Sequence, residues 1–376
     1  MTTITRAADA AHLLSLVPRL LEYTPRRSLV LIPLERGRSV GAMRLDLPPD
    51  AGPRDETVER VASTVIGMVC RIPHADAFVA VAYTDDAAGP ELPHRGLADA
   101  LALRADACGL RMVDALTVAA NGWGSHLDPA GAIEPLDAVR QSALQNGDAE
   151  DPAEVRGDQT TGAELPATTP ERRREVAGVR AELERAIEVV RDVEAPASDG
   201  SGPITAAALT AVCALADLPA LYEDALRWDA GALSPLHAGL LSWCLDRPAL
   251  RDVALMQWSG DRRLGEEAAA AQSAWEEGGE YPVSLAERLW GEGPQPDPER
   301  LARALALVRQ VAALVPDSAG ALAVCAWLSW AQCRSTHADG YVRRACEIDA
   351  EHGLAQIVGS FIAAAHLPDW GFRRFS

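Results

Sequence analysis

Hydrophobic positions in the first third of the chain alternate between helical and strand spacing. Apolar residues recur with helical period over residues 7–22 and 55–72. Between them lie two short apolar runs, residues 28–34 and 39–47, separated by turn-forming residues, which predicts a hairpin. A strand is predicted over 77–84, a helix over 94–108 and a last strand over 110–120. This order indicates an α/β domain over residues 1–125, with a mixed sheet and flanking helices.

The pattern changes after residue 171, where only helical spacing remains. Eight of the nine tryptophans lie in this part, and five of them are spaced at about one per short helix. This spacing favours an antiparallel array of helices in an all-α domain over residues 171–376. The predicted helices cover 172–194, 204–228, 235–246, 249–258, 262–277, 283–290, 297–315, 318–334, 338–349 and 351–366.

Residues 126–170 are predicted to form an acidic linker or long loop between the two domains. The stretch 147–171 is rich in acidic residues and proline and has no aromatic side chain. A segment of this composition has too few apolar groups to bury a core of its own.

The charge of the chain excludes several classes of function. All 35 basic residues are arginine, and the formal net charge is −19. Without lysine, the chain cannot form a P-loop phosphate site, a Schiff base with pyridoxal phosphate or the lysine contact of protein kinases. A surface this acidic repels nucleic acid and anionic membranes, so neither is an expected partner.

The seven cysteines indicate a reducing compartment. They form no Cys-x-x-Cys pair, and most fall within apolar helical patterns. The N-terminus has no signal-peptide anatomy, and no run of 18 apolar residues predicts a membrane span. We therefore expect a cytoplasmic protein, without a metal or cofactor.

Residues 317–350 resemble one degenerate tetratricopeptide unit. Small or apolar residues fall near that motif's spacing at Leu322, Ala326, Ala338 and Ala345, whereas Ala350 stands where the motif prefers proline. Two closely crossing helices without homology produce the same pattern, so both interpretations stay open.

Several blocks resemble an uncharacterised family of high-GC Gram-positive (actinobacterial) bacteria, known as a domain of unknown function. The block 18–32 is similar to that family's proline-leucine-aromatic signature, and residues 44–48 to its next strand motif. Trp123 and Ser125 match its tryptophan-rich block, Arg251-Asp252 matches a helical motif, and 321–370 is similar to its closing helical pair. The resemblance implies a two-part fold with a tetratricopeptide-like helical region, and it implies no activity.

One candidate ligand site combines Arg44, Asp46, Trp123, Ser125 and His126. These residues lie at or after the ends of predicted strands, where open α/β sheets bind ligands. If the strand ends converge, the five line a small-molecule site, and Ser125, His126 and Asp46 are candidates for hydrolysis. The alternative is a Gly-rich turn anchored by Trp123 and a structural Arg44–Asp46 pair. No Gly-x-Ser-x-Gly elbow is present.

A second candidate surface is the tryptophan-rich helical domain. Trp258, Trp275 and Trp290 are the predicted contacts for a protein partner or a second copy of the chain, because tryptophan is enriched at binding hot spots. The sequence therefore predicts a non-enzymatic adaptor. The alternative is a small-ligand-binding protein or hydrolase.

Overall fold

The chain divides into two compact units. The computed structural model describes residues 7–128, 132–146, 157–191 and 204–373. The α/β unit comprises Met1–Thr161 with Phe372–Ser376, and the helical unit comprises Gly162–Gly371. Residues 147–156, the centre of the predicted acidic connector, lie outside the described residues.

The α/β unit contains four helices and six strands among its described residues. They are α1 (Ala10–Leu21), β1 (Ser28–Glu35), β2 (Arg38–Ser39), β3 (Met43–Asp46), α2 (Glu56–Cys70), β4 (Ala77–Tyr83), α3 (Arg95–Ala107), β5 (Arg111–Ala119), β6 (Gly122–Ser125) and α4 (Asp137–Gln145). Helix α4 lies in the stretch that the sequence analysis assigns to the connector.

The six strands form one mixed sheet, as predicted. Their order is β2-β1-β4-β5-β6, with β3 also paired to β1. Strands β4 and β5 are parallel, and all other pairs are antiparallel. Because β1 is antiparallel to both β3 and β4, strands β3, β4 and β5 run in one direction. We call the edge where these three strands end the carboxyl edge, and the opposite edge the amino edge.

The predicted hairpin forms, but its second arm is interrupted. The Ser39 hydroxyl donates to the carbonyl of Gly41 and accepts from the Gly41 N–H. This local turn separates β2 from β3 within the stretch that the sequence predicted as one strand. The Gly-rich segment after β5 also differs from the predicted turn, because residues 122–125 pair with β5 as strand β6.

Helices cover both faces of the sheet and bury two apolar layers. Helices α2 and α3 pack on one face against Leu29, Leu31 and Phe78. Helix α1 packs on the other against Val30 and Val81, with α4 alongside it. Side chains alternate along each strand, so neighbouring residues of β1 serve opposite layers.

The helical unit contains eleven α-helices among its described residues. They are α5 (Pro170–Arg191), α6 (Ala206–Ala214), α7 (Leu218–Ala225), α8 (Pro235–Leu245), α9 (Pro248–Ser259), α10 (Arg262–Glu276), α11 (Val283–Leu289), α12 (Pro298–Leu314), α13 (Ala319–Ala331), α14 (Ser335–Ile348) and α15 (Gly353–Ala363).

The prediction of one helix over 204–228 is wrong, because two helices form there. The Asp217 carboxylate accepts from the backbone N–H of Ala220 and caps the second helix, and Pro219 has no N–H to continue the first. Helices α6 and α7 meet at 108°. Among the described residues no single helix is long and apolar enough to cross a membrane, and only this bent pair meets that test, on length and composition alone.

The core of the helical unit centres on α13, in which every residue is buried. The side chain of Asp246, directly after α8, connects three elements of this core. Asp246 accepts from the guanidinium of Arg180 at 2.9 Å and from the Ser318 hydroxyl at 2.7 Å. One carboxylate therefore joins α5, α8 and the start of α13.

Candidate functional site

The five residues of the predicted ligand site do not meet in one place. Arg44 and Asp46 lie on β3, and Trp123, Ser125 and His126 lie on or directly after β6. Strands β1, β4 and β5 stand between them in the sheet. Four strand spacings correspond to roughly 19 Å. The structure therefore separates the candidates into two groups.

The first group is a structural ion pair. The Arg44 guanidinium bonds the Asp46 carboxylate at 2.7 Å and donates to the Ser28 hydroxyl at 2.8 Å. The Arg44 side chain is 9% exposed, whereas that of Asp46 is 90% exposed. Arg44 thus links β3 to the neighbouring strand β1 and pairs with Asp46, as in the structural alternative.

The second group does not form a Ser–His dyad. Ser125 points to the α1 face of the sheet and donates to the Asp114 carboxylate at 2.5 Å. His126 lies next to Ser125 in sequence, and its Nε2 is 2.9 Å from the Thr117 hydroxyl, which donates to the carbonyl of Pro93. Because that hydroxyl proton is already used, His126 is the donor. A proton transfer from Ser125 to His126 has no geometric basis here.

Trp123 anchors β6 to the sheet. Its ring is buried in the layer beneath α1, and its backbone exchanges two hydrogen bonds with Glu134. The indole Nε1 is buried and has no hydrogen-bond partner among the described residues. The anchoring role matches the structural alternative, while the unsatisfied N–H costs stability.

A second histidine, His94, lies near His126 and was not among the predicted site residues. It lies in the loop that joins β4 to α3, at the carboxyl edge, and its backbone adopts the left-handed conformation with φ 65°. The residue is 4% exposed, and neither ring nitrogen has a hydrogen-bond partner among the described residues. The sequence did contain a signal, because a histidine stands at the start of a predicted helix that follows a buried strand and its loop.

Both imidazoles are neutral at physiological pH. Burial lowers the pKa of His94, and the carboxylates of Asp50 and Asp86 only partly oppose it. Burial also lowers the pKa of His126, and the Arg95 guanidinium adds to the effect. A neutral imidazole can both donate and accept a hydrogen bond, which suits it to bind an uncharged or anionic oxygen.

The start of α3 provides further hydrogen-bond donors. No side chain caps this helix, and no acceptor is found for the backbone N–H groups of residues 95–97 within the described ranges. The loop residue Ala51 packs against Gly96 so closely that a Cβ at Gly96 would lie 2.0 Å from the Ala51 carbonyl oxygen. Free N–H groups at a helix N-terminus favour an anionic oxygen.

The described residues contain no cluster of metal ligands. No group of three or more His, Cys, Asp or Glu side chains there could hold a metal ion. The imidazole of His94 and the N–H groups at the start of α3 are instead candidates for binding an organic or inorganic anion.

The structure separates the three predicted partner-binding tryptophans. Trp258 is fully buried, donates from Nε1 to the carbonyl of Tyr222 and packs edge-on against its ring. It therefore belongs to the core and is not available to a partner. Trp275 is 58% exposed at the end of α10, and Trp290 is 50% exposed at the end of α11.

The stretch of chain that contains the two exposed tryptophans, residues 275–292, exposes both apolar and acidic side chains. Val283, 70% exposed, begins α11 and lies on the same helix face as Glu287 and Trp290, at spacings of four and seven residues. We define the acidic Trp surface as Trp275, Val283 and Trp290 with the exposed glutamates Glu276, Glu277, Glu280, Glu287 and Glu292. None of these glutamates forms an ion pair with a described residue.

Positive charge is nearly absent from the stretch that contains the acidic Trp surface. Arg288 is the single basic residue between Trp275 and Glu292, and it is 6% exposed. Its guanidinium donates to the backbone and hydroxyl oxygens of Ser259 and to the carbonyl of Pro294. Residues 275–292 therefore expose five glutamates and three large apolar side chains.

Comparison with known proteins identifies one family. A family model described as "Domain of unknown function (DUF4192)" matches residues 11–369. No curated protein and no solved structure matches the chain.

Proposed function

We propose that this chain, which belongs to the DUF4192 family, is a non-enzymatic adaptor whose helical unit binds a basic protein segment through the acidic Trp surface. One observation supports this function: residues 275–292 expose three large apolar side chains together with five glutamates, none of which pairs with a basic side chain among the described residues. Scattered exposed apolar residues are ordinary, but their combination with charge of one sign is typical of a binding surface.

The chemistry of the surface defines the partner. Burial of Trp275 and Trp290 supplies the apolar contact that dominates most binding hot spots. The glutamates favour arginine or lysine on the partner and accelerate its approach, as does the chain's net charge of −19. A segment with an apolar face flanked by basic residues meets both requirements.

We also propose that the helical unit is a tetratricopeptide-like array. Successive helices α12 to α15 pack against one another, and α13 also contacts α15. The small residues that prompted this comparison, Ala326, Ala338 and Ala345, are all fully buried. Such residues allow close helix crossing, and arrays of paired helices expose the helix faces that partners occupy.

Substitution of the apolar residues should abolish capture of the partner. The triple variant Trp275→Ser, Val283→Ser, Trp290→Ser is compared with Val189→Ser, Val190→Ser, Leu209→Ser, three residues of similar exposure on α5 and α6. We expect the immobilised wild type and the control triple to retain a basic protein from native extract. The surface triple should lose at least about tenfold in affinity.

Two further measurements separate this proposal from its competitors. Replacing the five glutamates with glutamine should weaken binding and remove most of its salt dependence. Native mass spectrometry of the purified chain detects self-association. Equal retention by both triples, or a homo-oligomer that the surface triple dissolves, would contradict binding of a basic partner at this surface.

A second candidate function is binding of a small anion at the start of α3. The supporting observation is His94, a buried imidazole that has no hydrogen-bond partner within the described ranges and whose backbone adopts a strained, left-handed conformation. Such a residue costs stability and is typical of sites where binding matters more than stability. The uncapped N–H groups of residues 95–97 supply complementary donors.

Inorganic phosphate and acetate are suitable probes of this second function. We expect either anion to raise the melting temperature of the wild type and to leave that of His94→Asn unchanged. Asparagine tolerates the left-handed backbone but removes the imidazole. The matched control is His74→Asn, a second left-handed histidine that is exposed. The same anion-induced shift in His94→Asn and wild type would argue against the site.

A further inference from the structure

Two cysteines of the α/β unit meet at the amino edge of the sheet. Cys70 is the last residue of α2, and Cys108 directly follows α3. Both helices pack on the same face, and each leads into one of the adjacent parallel strands β4 and β5. The connection therefore places two helix ends, each with a cysteine, side by side.

The two thiols lie near each other. The side chain of Cys108 interacts with that of Cys70, and both residues are exposed to solvent. Partial burial, and then the neighbouring Cys108 side chain, raise the pKa of the Cys70 thiol. Because α2 packs against α3 and a cysteine lies at the C-terminal end of each helix, a disulfide between the two thiols would join the helix ends.

We propose that Cys70 and Cys108 are a modification site that forms a reversible disulfide when a peroxide acts as the oxidant. One thiol, as its thiolate, attacks the peroxide O–O bond and becomes a sulfenic acid while hydroxide leaves. The second thiolate attacks that sulfur, the S–S bond forms, and the sulfenic oxygen leaves as hydroxide. Protonation of both hydroxides produces two waters from one hydrogen peroxide, which accepts the two electrons.

The site differs from catalytic dithiols in its position on the helices. Redox enzymes place the attacking cysteine at a helix N-terminus, which stabilises the thiolate. Cys70 and Cys108 lie at helix C-termini, where the dipole disfavours a negative charge. Formation of the disulfide should therefore be slow near neutral pH and accelerate as the pH rises.

The disulfide should stabilise the α/β unit. It would close a loop of roughly 40 residues and restrict the unfolded chain. We expect a rise in melting temperature on the order of 10 °C. The site lies in a different unit from the acidic Trp surface, so its outcome is independent of the adaptor proposal.

Peptide mapping tests the pairing directly. Trypsin releases Cys70 in peptide 61–71 and Cys108 in peptide 105–111, each with one cysteine. After treatment of the full chain with hydrogen peroxide, we expect these two peptides joined, with a mass about 2 Da below their sum. Dithiothreitol should separate them and reverse the rise in melting temperature.

Matched serine variants provide the controls. Cys70→Ser and Cys108→Ser should each abolish the joined peptide, whereas Cys213→Ser, at an exposed cysteine of the helical unit, should leave it intact. Sulfinic acids at Cys70 or Cys108 without the joined peptide would overturn the proposal. The proposal would also be overturned if the Cys70–Cys108 disulfide formed no faster than a disulfide of Cys70 or Cys108 with Cys213.

Discussion

Replacing Trp330 with alanine should lower the free energy of unfolding of the helical unit by about 3–5 kcal/mol. Trp330 is fully buried on α13, its Nε1 donates to the carbonyl of His366 at 2.8 Å, and its ring centre lies 4.7 Å from that of Phe361. Alanine removes these contacts and leaves a cavity. It also leaves the carbonyl oxygen of His366 without its hydrogen-bond donor.

Urea unfolding followed by tryptophan fluorescence measures this loss, because eight of the nine tryptophans lie in the helical unit. The matched control is Trp275→Ala, which removes the same side chain from an exposed position and should change stability by less than about 0.5 kcal/mol. Similar losses from the two variants would contradict the assignment of Trp330 to the core and Trp275 to the surface.

Replacing Glu223 with glutamine should cost the helical unit about 2 kcal/mol at pH 7. The Glu223 carboxylate accepts from two nitrogens of the Arg300 guanidinium, at 2.9 and 2.5 Å, and from Gln257. Glu223 and Arg300 line a cavity of about 140 Å³ together with Asp297 and Arg303. Glutamine keeps the shape of the side chain but leaves the half-buried guanidinium without its counter-charge.

This loss should depend on pH in a defined direction. Hydrogen bonds from Arg300 and then Gln257 lower the pKa of Glu223 from 4.5 to about 2. A carboxyl with a lowered pKa stabilises the folded state above its unfolded pKa, and that contribution disappears as it is protonated. The stability difference between wild type and Glu223→Gln should therefore be full above pH 4.5 and shrink as the pH falls towards 2.

Glu299→Gln is the control for the pH series. Glu299 pairs with Arg303 on the same helix, but its side chain is 82% exposed, so solvent screens the pair. We expect a change below about 0.5 kcal/mol at pH 7. A constant difference between wild type and Glu223→Gln from pH 7 to pH 2.5 would refute the ion-pair explanation.

Most elements of the α/β unit, though not β6 or α4, could be predicted because they depend on local periodicity. The apolar spacing from Val58 to Val69 specifies one buried helix face, and the run over β4 specifies a strand buried on both sides. Where a local polar group interferes, prediction was less accurate. Asp217 and Ser39 each form hydrogen bonds that break an element which apolar spacing alone extends.

The candidate ligand site shows what periodicity does not contain. Strand ends predicted separately were expected to converge, yet β1, β4 and β5 separate Asp46 from Ser125 and His126. Strand order depends on long-range pairing, which leaves no local signature in the sequence. The same holds for His94: which described groups lie near its ring nitrogens, none of them as a hydrogen-bond partner, depends on how distant loops pack.

The sequence by itself determined the α/β and helical parts, the acidic charge and the supply of tryptophans and thiols. Only the tertiary structure decided that Trp258 is core whereas Trp275 and Trp290 are surface, and that the helix ends carrying Cys70 and Cys108 lie side by side. The physical reason is the distance along the chain over which the deciding interactions act. Helix and strand formation depend on neighbours a few residues away. Exposure and side-chain pairing depend on which distant elements pack together, and evenly spaced tryptophans do not encode that.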